Sequence, residues 1–284
     1  MHALPVPVIC DVMTPPPTDL AGFVRAHDPD RFLCALFAPA ERRAAVLALT
    51  AFNHELARAR EAASNPIAAL IRLQWWREAV EEAQTGKPPR RHEVAAPLHA
   101  AIAAGTLDPA DLMTLVDARE IEAEEGAIAT EPDFVTWLRG TAGGWSAAAG
   151  RALGTSAEAR EVLRALGAAY GLAGVLRAVP AQAARGRCLL PRDRLAAAGL
   201  SADAVIAAPG APEVVALLRA LAAEGLEALA GARRDMPRTA IAAALPAVLA
   251  RRDFVRLANG RTEVGPRGLG DRLAVTVAGL RGRV

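Results

Sequence analysis

Between its prolines and glycines the chain repeats one pattern: Ala- and Leu-rich runs with larger apolar residues three and four positions apart. That spacing places the apolar residues on one face of a helix, and Ala and Leu are strong helix formers. No Val/Ile-rich run alternates with polar residues between turn residues, as a half-buried strand requires. Aromatics are only 4% of the residues while hydrophobics are 52%, so a sizeable core must be built from Ala, Leu and Val. The pattern predicts an all-α chain with one core, since neither a linker nor a fixed internal period divides it.

The punctuation predicts where helices start and stop. Residues 1–17, ending in Pro15-Pro16-Pro17, read as a flexible N-terminal arm ahead of a helical domain over 18–284. Thr18 or Asp19 caps a short helix to His27, and Asp28-Pro29 starts another to Phe37. Pro39 opens a long helix in which Val46, Leu49, Phe52 and Leu56 recur at helical spacing. A second long helix follows Asn65-Pro66 and stops at Gly86. Further helices are expected near 93–104, 108–126, 132–153 (loosened at Gly143-Gly144), 156–180, 191–198, 211–232, 236–259 and 270–280.

Charge excludes some function classes. With 33 basic and 31 acidic residues the net charge is +2, and no basic stretch is interleaved with aromatics, so nucleic acid is not an expected partner. Lys87 is the only lysine, which reads as a coding bias toward Arg. Cys10, Cys34 and Cys188 are widely spaced, without a zinc-ligand pattern, which fits a reducing compartment. The opening run is too short and Pro-broken for a secretory leader and lacks the Arg-rich pattern of a mitochondrial presequence. No segment approaches the roughly 20 continuous apolar residues of a membrane span. The expectation is a bacterial cytoplasmic protein, with peripheral contact at the inner membrane face left open.

Two blocks carry a resemblance. DPDRFLCALFAPAERRAAVLALTAFNHELARARE (28–61) and GLAGVLRAVPAQAARGRCLLP (171–191) resemble the conserved blocks of squalene and phytoene synthases. In the second, Leu-Arg, Arg-Gly-Arg and Leu-Pro fall at that family's separations. The resemblance covers roughly residues 20–260. It implies the all-α isoprenoid synthase (trans-prenyltransferase) fold. It also implies two facing helices that each carry Asp residues at i and i+4, a spacing that stacks carboxylates on one face. Such pairs bind magnesium, which neutralises a departing diphosphate.

Placed on this sequence, the first pair falls at Ala57 and Glu61 and the second at Ala178 and Gln182, so three of four primary ligands are absent. The resemblance therefore implies a lost prenyl transfer, no cofactor, no metal and no catalytic residue here; magnesium enters only if activity is retained. AFNHELARARE, IRLQWWREAVEEA and the Leu-Arg-x-x-Pro run at 176–180 are also similar to the squalene/phytoene synthase-like assembly factors of respiratory complex I, which lack the Asp motifs. That implies a protein partner in complex I assembly. The alternatives are an active head-to-head prenyl transferase and an isoprenoid- or lipid-binding protein using the former cavity.

His54, Glu55, Arg177, Arg185 and Arg187 are the candidate cavity or anion-binding residues; the three arginines lie in the block that resembles the family's diphosphate region. The alternative for Arg177 is a structural pair with Glu55 or Glu61. Asp117, Glu120, Glu122, Glu124 and Glu125 read as a solvated acidic face rather than a metal site. Of Trp75 and Trp76, about 100° apart on a helix, one should pack inside and the other partly outside. His92, His99, Thr141 and Ser146 show no catalytic grouping.

Overall fold

Small polar residues and prolines start most of the helices, as the punctuation predicts. The computed structural model describes residues 19–63, 65–123, 128–232, 236–261, 265 and 267–284, so the arm expected over 1–17 lies outside the described residues. Asp19 caps α1 (Leu20–His27) by accepting from the Gly22 amide, and Asp28 caps α2 (Pro29–Ala35) by accepting from Arg31. Pro39 precedes α3 (Ala40–Glu61), and Asn65 caps α4 (Pro66–Gln84). Then come α5 (Ala95–Ala103) and α6 (Pro109–Glu120), the latter capped by Asp108 and continued by a 3-10 turn, Ile121–Ala123. Such caps satisfy otherwise orphaned amides and contribute about 1 kcal/mol each.

The helix expected over 132–153 is two helices, α7 (Glu131–Gly140) and α8 (Ala142–Ala152). The break is at Thr141, with ψ −86°, not at Gly143-Gly144. The glycines have a packing role instead. A Cβ on Gly143 would sit 2.6 Å from the Arg164 carbonyl oxygen, and one on Gly167 would sit 2.5 Å from that of Ala142. They allow α8 to lie directly against α9 (Ala157–Ala183), which Ser156 caps. This helix runs three residues past its expected end, carrying Pro180 within its last turns. Its length and a windowed mean hydropathy of 1.4 would suit a membrane span, yet it packs against α7, α8, α12 and α14. Leu163, Leu166, Ala173 and Leu176 are buried there, the pattern of a central core helix.

Next are α10 (Arg192–Ala197) and α11 (Ala202–Ala207), the latter not expected although Ser201 supplies an N-cap. After α12 (Pro212–Ala232), the helix expected over 236–259 is divided into a 3-10 turn (Arg238–Ala240), α13 (Ile241–Ala244) and α14 (Pro246–Ala258). Pro246, which lacks an amide proton, sits at the start of α14. The last helix is α15 (Leu269–Arg281). Among the described residues there is no strand. One cluster of buried side chains reaches from Val24 to Leu257, and a second, of Cys34, Ile241, Leu245, Leu249 and Val275, fastens α15 to α2 and α14.

Candidate functional site

The four positions at which the metal pairs would fall lie on the C-terminal halves of α3 and α9. Ala57 and Ala178 offer no donor atom, and Gln182 offers a neutral amide whose Oε1 is buried without a hydrogen-bond partner. Glu61 is already engaged: Arg185 Nη1 donates to its Oε1 at 3.2 Å, bridging the two motif regions. A hard divalent cation needs several oxygen donors, preferably charged. Two alanines, one amide and a single carboxylate that already accepts from an arginine do not fit magnesium. Among the described residues no group of three or more His, Cys, Asp or Glu side chains is arranged to hold a metal ion.

The five candidate cavity residues are not brought together. Arg185 and Arg187 line a cleft of about 840 Å³ with Arg58, Arg60, Glu61 and Glu122. Arg187 is half-buried there, and burial, together with neighbouring Arg60 and Arg185, pushes its guanidinium below the ordinary value despite Glu122 and Glu61. Glu55 faces a smaller cleft, of about 220 Å³, with Arg58, Trp75 and His92. His54 packs against α1, its ring 4.8 Å from that of His27 and 5.7 Å from that of Phe23. Burial, then the proximity of His27, lowers its pKa. Arg177 faces a different cleft, of about 950 Å³, lined also by Arg25, Phe32, Leu36, Tyr170 and Leu249.

The expected pairing of Arg177 with Glu55 or Glu61 is not what forms. Arg177 lies 3.5 Å from Asp253 of α14 and donates to the Gly265 carbonyl. Asp253 is the centre of a buried ionic clasp that joins both ends of the chain. Arg267 donates to it at 2.6 Å and Arg256 at 3.1 Å. Arg267 also donates to Asp30 at 3.0 Å, and Asp30 accepts from the Tyr170 hydroxyl at 3.1 Å. Asp271 accepts from Arg252 at 2.6 Å and Arg256 at 2.5 Å. Burial alone would raise the Asp271 carboxyl, but these two guanidiniums hold it down at about 2. Burial likewise opposes the charge on Arg267, and its contacts with Asp253 and Asp30 outweigh that, raising its pKa. Deeper still, Arg31 pairs with Asp28 and lies over the rings of Trp145 and Tyr170 at 4.6 and 4.9 Å.

Sequence reasoning passed over this clasp because its partners are spread over residues 30, 177, 252, 253, 256, 267 and 271. One local signal was present: Asp253 sits four residues after Leu249 and four before Leu257, on the buried face of α14. Elsewhere, Trp76 is buried and Trp75 half-buried, as expected. Asp117 and Glu120 form an exposed pair around Arg77, at 2.6 and 2.7 Å. Glu122, expected on that solvated face, turns inward instead, accepting from Trp137 Nε1 at 2.8 Å and Arg119 at 2.6 Å. Glu124 and Glu125 lie outside the described residues. His92 packs against both tryptophans, His99 bonds the Lys87 carbonyl, and Thr141 donates to the Trp137 carbonyl.

Comparison with known proteins follows the same lines. Residues 24–277 match the family model described as squalene/phytoene synthase. A solved dehydrosqualene synthase superposes with a TM-score of 0.73 at 15% identity, covering 92% of this chain and 94% of its own. A squalene synthase from Alicyclobacillus acidocaldarius gives 0.62 at 18%, covering 93% and 92%. At that identity the two structures speak for the fold. Among curated proteins, the NADH dehydrogenase (ubiquinone) complex I assembly factor 6 of Homo sapiens is 31% identical over 181 residues, 63% of this chain, and that of Mus musculus 30% over the same length. The matched stretch spans about half of those relatives, 54% of their length. With a model match across nearly the whole helical array, the chain belongs to the squalene/phytoene synthase family.

Proposed function

We propose that this chain serves as a scaffold in the assembly of respiratory complex I and does not transfer prenyl groups. The observation that carries the reading is the state of the motif positions: Ala57, Ala178 and Gln182 supply no charge, and Arg185 occupies Glu61. A site of that kind cannot neutralise a departing diphosphate through magnesium. The relatives named as complex I assembly factor 6 support the same direction. In this reading no metal cofactor is required, the partner is a protein of the complex I pathway, and the working place is the cytoplasmic side of the inner membrane.

The surface offers a contact for such a partner. On α4, Ile67, Leu70 and Ile71 are exposed at i, i+3 and i+4, with Ile67 at 69% and Ile71 at 64%. That spacing makes one apolar stripe of the kind that docks helix against helix. In a strain lacking this chain, fully assembled NADH dehydrogenase on a native gel should fall and return with the wild-type chain. The Ile67→Glu/Ile71→Glu double variant should be folded and fail to restore it. Normal assembly in the deletion strain removes the proposal.

The enzyme reading is tested on purified protein. Farnesyl or geranylgeranyl diphosphate with magnesium should give no diphosphate release; release abolished by Glu61→Ala would restore the enzyme. Lipid carriage is a second reading, favoured by one feature: the cleft beside Arg177 sets Phe32, Leu33, Leu36 and Leu249 against Arg25 and Arg267. Native mass spectrometry finding no copurified isoprenoid or lipid would count against it.

A further inference from the structure

The helix α15 is held to the body along one side only. Val275 is fully buried and Asp271 is sealed by Arg252 and Arg256. On its opposite side Leu269, Leu273 and Leu280 are 84%, 63% and 71% exposed. At 100° per residue these three lie within about 40° of one another. They form a leucine ridge along the helix, with Leu273 also on the lip of the cleft between α15 and α14.

The exposed side-chain charges along the ridge have one sign. Arg272 and Arg281 flank it on the helix, with Arg283 just beyond. Arg251 of α14 lines the adjoining cleft with Arg281 and Arg283. None of these four arginines has a side-chain carboxylate partner among the described residues, whereas Arg252 and Arg256 next to them do. The one acidic residue of the helix, Asp271, points inward and is neutralised. An apolar ridge bordered by unpaired guanidiniums is the arrangement of a helix that lies in the plane of a membrane interface. Its electrostatic complement is an anionic lipid headgroup layer.

We infer that α15 is a membrane-docking helix that seats the protein on anionic phospholipid bilayers, with Leu269, Leu273 and Leu280 entering the acyl boundary and Arg251, Arg272, Arg281 and Arg283 meeting the headgroups. A second copy packed ridge to ridge would bring like charges together, so the lipid surface is the favoured occupant. The inference rests on the surface alone and is independent of the assembly role.

The test is co-flotation of the full chain with vesicles of phosphatidylcholine alone and of an equal phosphatidylcholine/phosphatidylglycerol mixture. Binding is expected to the mixed vesicles only, and to weaken with added salt. Arg272→Gln/Arg281→Gln/Arg283→Gln should lower the partition roughly a hundredfold, about fivefold per charge. Leu273→Glu/Leu280→Glu should abolish it. Both variants change exposed side chains, so unaltered melting curves are expected. Hydrogen exchange on the wild-type protein gives an independent readout: amides of residues 272–281 should slow on mixed vesicles and not on phosphatidylcholine. Absence of flotation with mixed vesicles overturns the inference, as does binding indifferent to both variants or exchange in α15 unchanged by lipid. Dimers that Leu273→Glu/Leu280→Glu dissociates, without vesicle binding, would assign the ridge to a second copy and overturn it as well.

Discussion

Asp253 carries more of the fold than any other single carboxylate described. It is fully buried and faces Arg177, Arg256 and Arg267 at once. Removing its charge leaves Arg177 with no carboxylate and Arg256 and Arg267 with one each, and stranding buried charge in this way costs more than the pair itself contributes. Asp253→Asn should therefore destabilise the protein by ~3 kcal/mol in urea titrations; a change below the error of the titration would refute that role. Asp271 predicts the acid limb. Its folded value of about 2 is below the ordinary 3.8, so folding favours the ionised form. That stability is complete above the ordinary value and is lost as pH falls through the folded one, a contribution of about 2 kcal/mol. His54 acts earlier in the same direction, since its lowered pKa makes protonation below the ordinary 6.5 unfavourable in the folded state. Denaturant midpoints should decline from about pH 6.5 downward, and Asp271→Asn should flatten the part below pH 4. Of this residue-level chemistry little was legible beforehand. The assignment of Ala57, Ala178 and Gln182 rests on the register of neighbouring residues, whereas of the partners of Asp253 only Arg256, three residues on, is recorded by local spacing, and Arg177 and Arg267 are set by tertiary packing.

At the scale of elements, glycines within helices divide into two kinds, and magnitudes decide which is which. Replacing a helical Gly by Ala gains about 1 kcal/mol in propensity. At Gly174 of α9 a new Cβ would meet nothing within 4 Å, so Gly174→Ala should raise the melting temperature. At Gly143 it would meet the backbone oxygen of Arg164 at 2.6 Å, and overpacking costs of about 1–3 kcal/mol exceed the gain. Gly143→Ala should lower the melting temperature; a rise would mean that α8 and α9 separate more easily than their packing implies. The helices themselves were largely readable, because Asp19, Asp28, Asn65 and Ser156 are capping residues at positions where caps form. What was not readable were breaks with no punctuation, such as the one at Thr141, and the short α11, whose six residues carry too little periodicity to stand out.

For the molecule as a whole, the retained array and the altered motif make separate demands on ligand linkage. A ligand that binds the native state raises its melting temperature, by an amount that grows with the logarithm of its concentration relative to Kd. The cleft holding Arg58, Arg60, Arg185 and Arg187 can attract pyrophosphate by charge alone, but among the described residues it has no donor set through which magnesium adds to it. Pyrophosphate should give the same thermal shift with and without magnesium; a larger shift with the metal would reinstate a metal-dependent site. The clasp has a further consequence in the opposite direction of the pH scale. All its cations are arginines, which keep their protons to about pH 12, and burial pushes the neighbouring Tyr170 hydroxyl and Cys34 thiol upward as well. Nothing at that junction can therefore discharge in mild base. The latch that ties the first helices to the last responds to acid and is blind to alkali, so its grip is unchanged when the surrounding pH drifts upward.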